Sequence, residues 1–132
     1  CDVLEPGDHG STFGGNPLAT AAANATIRYM IEQDIPSAAL SIGAYLRSKL
    51  EDLAQSYSGV VTEVRGVGLL LALVFQEQIS AKLVAECNQL GLLLNPVRPN
   101  AIRLMPPLIV SESDCDEAVG IIETALKKVL GN

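Results

Sequence analysis

The chain has 132 residues, enough for one domain with a modest core. A net charge of −6 with scattered Lys and Arg argues against a nucleic-acid surface, which needs clustered basic residues. No stretch has membrane-spanning length, the first residues lack the basic and then apolar run of a signal peptide, and Cys1, Cys87, Cys115 and the lone His9 offer neither a disulfide framework nor a metal-ligand spacing. A reducing cytoplasm suits this cysteine usage.

Residues 1–16 carry no period and read as a loop, rich in Gly, Ser and Thr from Gly10 to Gly15. Asn16 and Pro17 suit a helix cap and first turn, so a helix is expected from Pro17 to about Gln33, with Leu18, Ala22, Ala25 and Tyr29 on one stripe. Asp34-Ile35-Pro36 should break it. A second helix is expected over Ser37–Ser56, where Ala39, Gly43, Leu46, Leu50, Leu53 and Tyr57 form a single buried face. Val60–Arg65 reads as a strand and Gly66-Val67-Gly68 as a bend. The continuous apolar run Leu69–Phe75 reads as a strand covered on both faces. Ile79–Leu90 is a third helix with Ile79, Leu83, Cys87 and Leu90 inward. Short strands follow at Leu92–Asn95 and Ala101–Met105, separated by a turn over Pro96–Asn100. Ser111 and Asp114 form a capping box that opens a last helix, whose inward residues are Cys115, Val119, Ile122, Leu126 and Val129. Short strands joined mostly by tight turns point to an α+β fold, a mixed or antiparallel sheet with helices packed on one face.

Two places could carry chemistry. The loop offers the Ser11 and Thr12 hydroxyls and several amides just ahead of a helix N-terminus, a ready anion site. An ordinary glycine-rich loop with a capping Asn explains it as well. It lacks the Gly-Lys-Ser/Thr of a P-loop. Arg103, amid apolar neighbours on a short strand, is costly unless its fork is satisfied, and a substrate carboxylate fits that fork. A solvent-facing strand-edge Arg is the alternative. Arg65 is read as a strand end beside glycines that serve the bend, and His9 as a loop hydrogen-bonder. Glu112, Asp114, Asp116 and Glu117 are a charged first helical turn, while Cys87 and Cys115 are inert core thiols. An anion loop near the start, with no strand ahead of it, is expected of a piece of a larger protein.

Three motifs together carry a resemblance. They are His9-Gly10-Ser11-Thr12-Phe13-Gly14-Gly15-Asn16-Pro17-Leu18-Ala19, Glu63-Val64-Arg65-Gly66-Val67-Gly68-Leu69, and Gly91-Leu92-Leu93-Leu94-Asn95 running to Ile102-Arg103-Leu104-Met105-Pro106-Pro107-Leu108. In this order they resemble the C-terminal third of the class III pyridoxal-phosphate aminotransferases, the acetylornithine/ornithine group above all. The resemblance implies the small C-terminal domain of a fold-type-I enzyme over residues 37–132, preceded over residues 1–36 by a phosphate-loop segment and connecting helix of the large domain. It implies that Ser11 and Thr12 bind the phosphate of pyridoxal 5'-phosphate across a homodimer interface, and that Arg103 holds the substrate α-carboxylate. Asn95 stands where acetylornithine enzymes often carry Asn. The implied reaction moves the δ-amino group of N-acetylornithine to 2-oxoglutarate, in arginine synthesis.

The family's catalytic Lys lies upstream of its Ser-Thr motif. Lys49, Lys82, Lys127 and Lys128 all follow the motif and read as surface helix residues, so no catalytic residue is expected here and the chain alone should not transaminate. Two other readings stand beside this one: a stand-alone dimerisation or anion-binding module without catalysis, and a related class III enzyme acting on ornithine or 4-aminobutyrate.

Overall fold

The computed structural model describes residues 10–131, which fall into two compact units meeting at Asp34 and Ile35. His9 and Cys1 lie outside the described residues. In the first unit, α1 spans Pro17–Glu32. Asn16 caps it with an extended backbone and a side-chain oxygen that accepts from the Ala19 N–H, and Pro17 fills the first turn, where its missing N–H costs nothing. Within its own unit α1 buries none of its residues, so the stripe of Leu18 and Tyr29 stays open.

The second unit runs α2 (Ile35–Ser56), β1 (Val61–Val67), β2 (Leu70–Phe75), α3 (Ser80–Gln89), β3 (Asn95–Arg98), β4 (Ala101–Leu104) and α4 (Glu112–Leu130). The fold is α+β. The four strands form one sheet in the order β1-β2-β4-β3, and every pairing is antiparallel. Leu71, Leu73 and Phe75 of β2 and Ile102 and Leu104 of β4 point to the side covered by α2, α3 and α4. There they meet Leu46, Leu50, Leu53, Leu83, Cys87, Ile122 and Leu126 in a single core.

Several boundaries differ from the sequence reading, each for a physical reason. Pro36 does not break the chain: α2 begins at Ile35, and Pro36 sits in its first turn, where no helical N–H is needed. The break between the helices falls instead on Asp34, whose φ of 45° is left-handed. β1 runs through Gly66 to Val67, so the bend lies at Gly68–Leu69. β2 is covered on one face only, because its alternate residues Leu70, Ala72 and Val74 are exposed or half-buried. The third strand starts where it was expected to end. Leu92–Leu94 form no strand, and β3 takes Asn95–Arg98, leaving Pro99–Asn100 as the turn.

That turn is pinned from below. The buried Ser80 hydroxyl lies 2.7 Å from the Arg98 carbonyl and 2.8 Å from that of Pro99, and the Asn100 amide donates to the Phe75 carbonyl at 3.1 Å. On the opposite edge, Arg47 of α2 donates to the carbonyls of Val64 and Gly66 at 3.0 and 3.1 Å, which satisfies part of the free edge of β1. Among the described residues no helix is long and apolar enough to cross a membrane.

Candidate anion-binding sites

The loop ahead of α1 is built by short-range bonds. The Gly14 N–H donates to Ser11 Oγ at 2.8 Å, and the Asn16 side-chain amide donates to the Phe13 carbonyl at 2.6 Å. Because Ser11 Oγ accepts the Gly14 bond, its own proton remains available to an outside acceptor. Ser11 and Thr12 are both exposed, and no acidic residue sits in the first turn of α1 to cancel its positive end. These features suit an anion held by the exposed Ser11 and Thr12 hydroxyls.

In the second unit the site is a row across the sheet. Arg65 of β1 pairs with Ala72 of β2, Ala72 with Arg103 of β4, and Arg103 with Asn95 of β3. Residues directly opposite one another share a face, so all four lie on the side away from the helices. Arg103 is therefore no strand-edge residue, since β4 lies between β2 and β3. It is half-buried, and its Nε is buried without a hydrogen-bond partner among the described residues. An unsatisfied charged donor of this kind costs stability until a partner reaches it. A cavity of about 160 Å³ opens beside it, lined by Leu93, Leu94, Asn95, Arg103 and Met105. Its chemistry is one cation and one amide set in an apolar wall, which fits a small carboxylate.

Arg65 does not end its strand. It lies inside β1, on the same face as Arg103, with Glu63 at 3.8 Å. The structure brings Arg103, Asn95 and Arg65 into one row, while Ser11 and Thr12 belong to the other unit.

Several other titratable groups form ion pairs within the second unit. Lys49 bonds Asp116 at 2.9 Å and lies 5.1 Å from the Tyr45 ring centroid, and Tyr45 donates to both Asp116 oxygens at 2.9 and 3.0 Å. Lys49 and then Tyr45 hold the Asp116 carboxyl below its usual range. This link between α2 and α4 was missed by reading Asp116 as one of a charged first turn, and no local sequence pattern announces it. Lys127 pairs with Glu123 at 2.9 Å and Lys128 with Glu86 at 3.4 Å. Burial pushes the Cys87 thiol up to about 11 and the Cys115 thiol upward too, so both are unreactive as expected. A second cavity, about 270 Å³ and largely apolar, lies between Leu46, Leu92, Pro107 and Cys115, and its one carboxylate, Asp114, is engaged with Ser111 in the cap of α4.

The class-III aminotransferase family matches residues 1–126. The acetylornithine aminotransferase of Thermosynechococcus vestitus is 43% identical over 129 residues, covering 96% of this chain and 31% of the relative. The ornithine aminotransferase of Macrococcus caseolyticus is 35% identical over 127 residues, again 96% of this chain and 31% of the relative. Among solved structures, the acetylornithine aminotransferase of Elizabethkingia anophelis superposes with a TM-score of 0.82 at 37% identity, covering 96% of this chain and 32% of that one. The chain thus spans about a third of the length of these relatives.

Proposed function

The chain belongs to the class-III aminotransferases, and on that premise we propose that it is the C-terminal part of a cytoplasmic, homodimeric enzyme that moves the δ-amino group of N-acetylornithine to 2-oxoglutarate. In this reading residues 1–36 belong with the large domain and residues 37–132 form the small domain. The observation that carries it is Arg103, a half-buried guanidinium with an orphaned Nε beside a small cavity. Its fork binds the substrate α-carboxylate and so fixes which end of an amino acid enters first. Leu93, Leu94 and Met105 set that contact in an apolar wall.

Ser11 and Thr12 hold the phosphate of pyridoxal 5'-phosphate, in the family's manner that of the other subunit. The cofactor, when bound, supplies the electron sink that lets an amino group pass between carbon skeletons. Lys49, Lys127 and Lys128 are engaged in ion pairs, and Lys82 sits on the exposed side of α3. None stands beside Arg103's cavity. The chain by itself therefore binds and orients but does not transfer.

The ornithine enzyme among the relatives keeps ornithine as the second reading for the donor. Expression of the whole reading frame, assayed with N-acetylornithine, ornithine and 4-aminobutyrate against 2-oxoglutarate, tests both. N-acetylornithine should give the highest kcat/KM, and Arg103→Gln should lower it by about a hundredfold, the cost of leaving a carboxylate without its charged partner. A preference for ornithine selects the second reading. An Arg103→Gln enzyme with unchanged kcat/KM removes the assignment of Arg103. The 132-residue chain, given cofactor, donor and acceptor, should form no glutamate.

A further inference from the structure

Arg103 is not the only polar group in its cavity. The other is Asn95, which stands directly across from it on β3. Opposed side chains in an antiparallel pair have Cβ atoms about 4.5–5.5 Å apart, a span that one carboxylate group can bridge. A carboxylate offers about four acceptor positions, and a bidentate guanidinium fills two of them. A neutral amide beside the fork donates to a third without competing for the cation. An Asp at the same position would pair with Arg103 itself and close the fork to any incoming acid, whereas an apolar residue would donate nothing.

Resting on the reading of Arg103 given above, we propose that Asn95 is the second donor to the carboxylate that Arg103 receives, its side-chain amide completing a two-residue clamp across β3 and β4. Asn95 is exposed on an edge strand, so changing it leaves the core beneath the sheet intact.

The test uses the 132-residue chain, isotopically labelled, titrated with sodium propionate at constant ionic strength. NMR follows the Arg103 Nε–H and Asn95 Nδ2–H signals, with backbone amides as the check on folding. Both side-chain signals should move along one saturating curve. Asn95→Ala should weaken propionate binding by roughly two- to tenfold, the worth of one hydrogen bond. Asn95→Asp should shift the Arg103 signal before any propionate is added and abolish its response. If Arg103 titrates while Asn95 stays still, and Asn95→Ala binds as the parent does, the clamp is overturned and Arg103 stands alone. If Arg103 itself does not respond in the parent chain, the carboxylate reading of Arg103 falls first and the clamp falls with it.

Discussion

Gly43 offers a sharp test of how α2 seats on the sheet. It lies on the buried face of α2, against the turn that joins β1 to β2. A Cβ added there would sit 2.6 Å from Gly68 Cα and closer still to the Gly68 carbonyl carbon and oxygen. Carbon atoms rest about 3.5–4.0 Å apart, so the helix and turn must separate by an ångström or more, and both partners are backbone that cannot rotate away. Overpacking of this kind costs up to about 3 kcal/mol. Replacing Gly by Ala inside a helix gains back about 1 kcal/mol, leaving Gly43→Ala about 2 kcal/mol less stable than the parent. Gly120 in α4 is the matched control, because nothing lies within 4 Å of its added Cβ. Gly120→Ala should gain up to about 1 kcal/mol. Urea unfolding followed by circular dichroism at constant m-value reads both, and the midpoints should move in opposite directions. A Gly43→Ala chain as stable as the parent would refute the close approach of α2 to Gly68.

Four further outcomes are expected. Asp116 titrates below its usual range when folded, so its contribution is present above the ordinary Asp value and is lost as pH falls through the depressed one. Asp116→Asn should therefore flatten the acid end of the stability–pH curve, and added salt should shrink the difference between the two chains. Ser111 and Asp114 cap α4 reciprocally, with the Ser111 N–H donating to Asp114 Oδ2 at 2.9 Å, so Ser111→Ala should lower stability by about 1 kcal/mol in the same urea assay. In a Cys1→Ser background, a thiol reagent at pH 8 should modify Cys87 and Cys115 only as fast as the core opens. Because Cys87 ionises near 11 when folded, stability should also decline as pH rises from about 9 toward that value, where the unfolded thiol loses its proton first.

Much of the fold was legible because burial leaves a period. The four-and-three spacing of Gly43, Leu46, Leu50 and Leu53 marked the inner face of α2, and the capping box at Ser111 marked the start of α4. Ala125, buried in α4, was passed over because alanine is common on either face of a helix. The apolar run of β2 misled for a related reason. Leu70, Ala72 and Val74 are apolar yet lie on the side of the sheet that this unit leaves uncovered. In an antiparallel sheet an apolar run does not by itself say that both faces are covered. Leu93 and Met105, 84% and 66% exposed beside the Arg103 cavity, follow the same logic.

The site was half legible. Arg103 stood out because a cation amid apolar strand residues needs a reason. Its neighbours did not, because register decides them and register is not written in composition. The two-residue turn Pro99–Asn100 sets Arg98 opposite Ala101. Counted back without interruption, that pairing would put Pro96 opposite Arg103 and Asn95 opposite Leu104, on the core side. The irregularity between Pro96 and Arg98 inserts one unpaired residue, Val97, and shifts the register by one. A shift of one carries a side chain to the other face, so Asn95 comes to stand opposite Arg103. Ser80 holds the Arg98 and Pro99 carbonyls from beneath and fixes the turn from which this count begins. The polar pair in the cavity thus depends on a bulge with no side chain in the chemistry, and on a buried hydroxyl on the far side of the sheet.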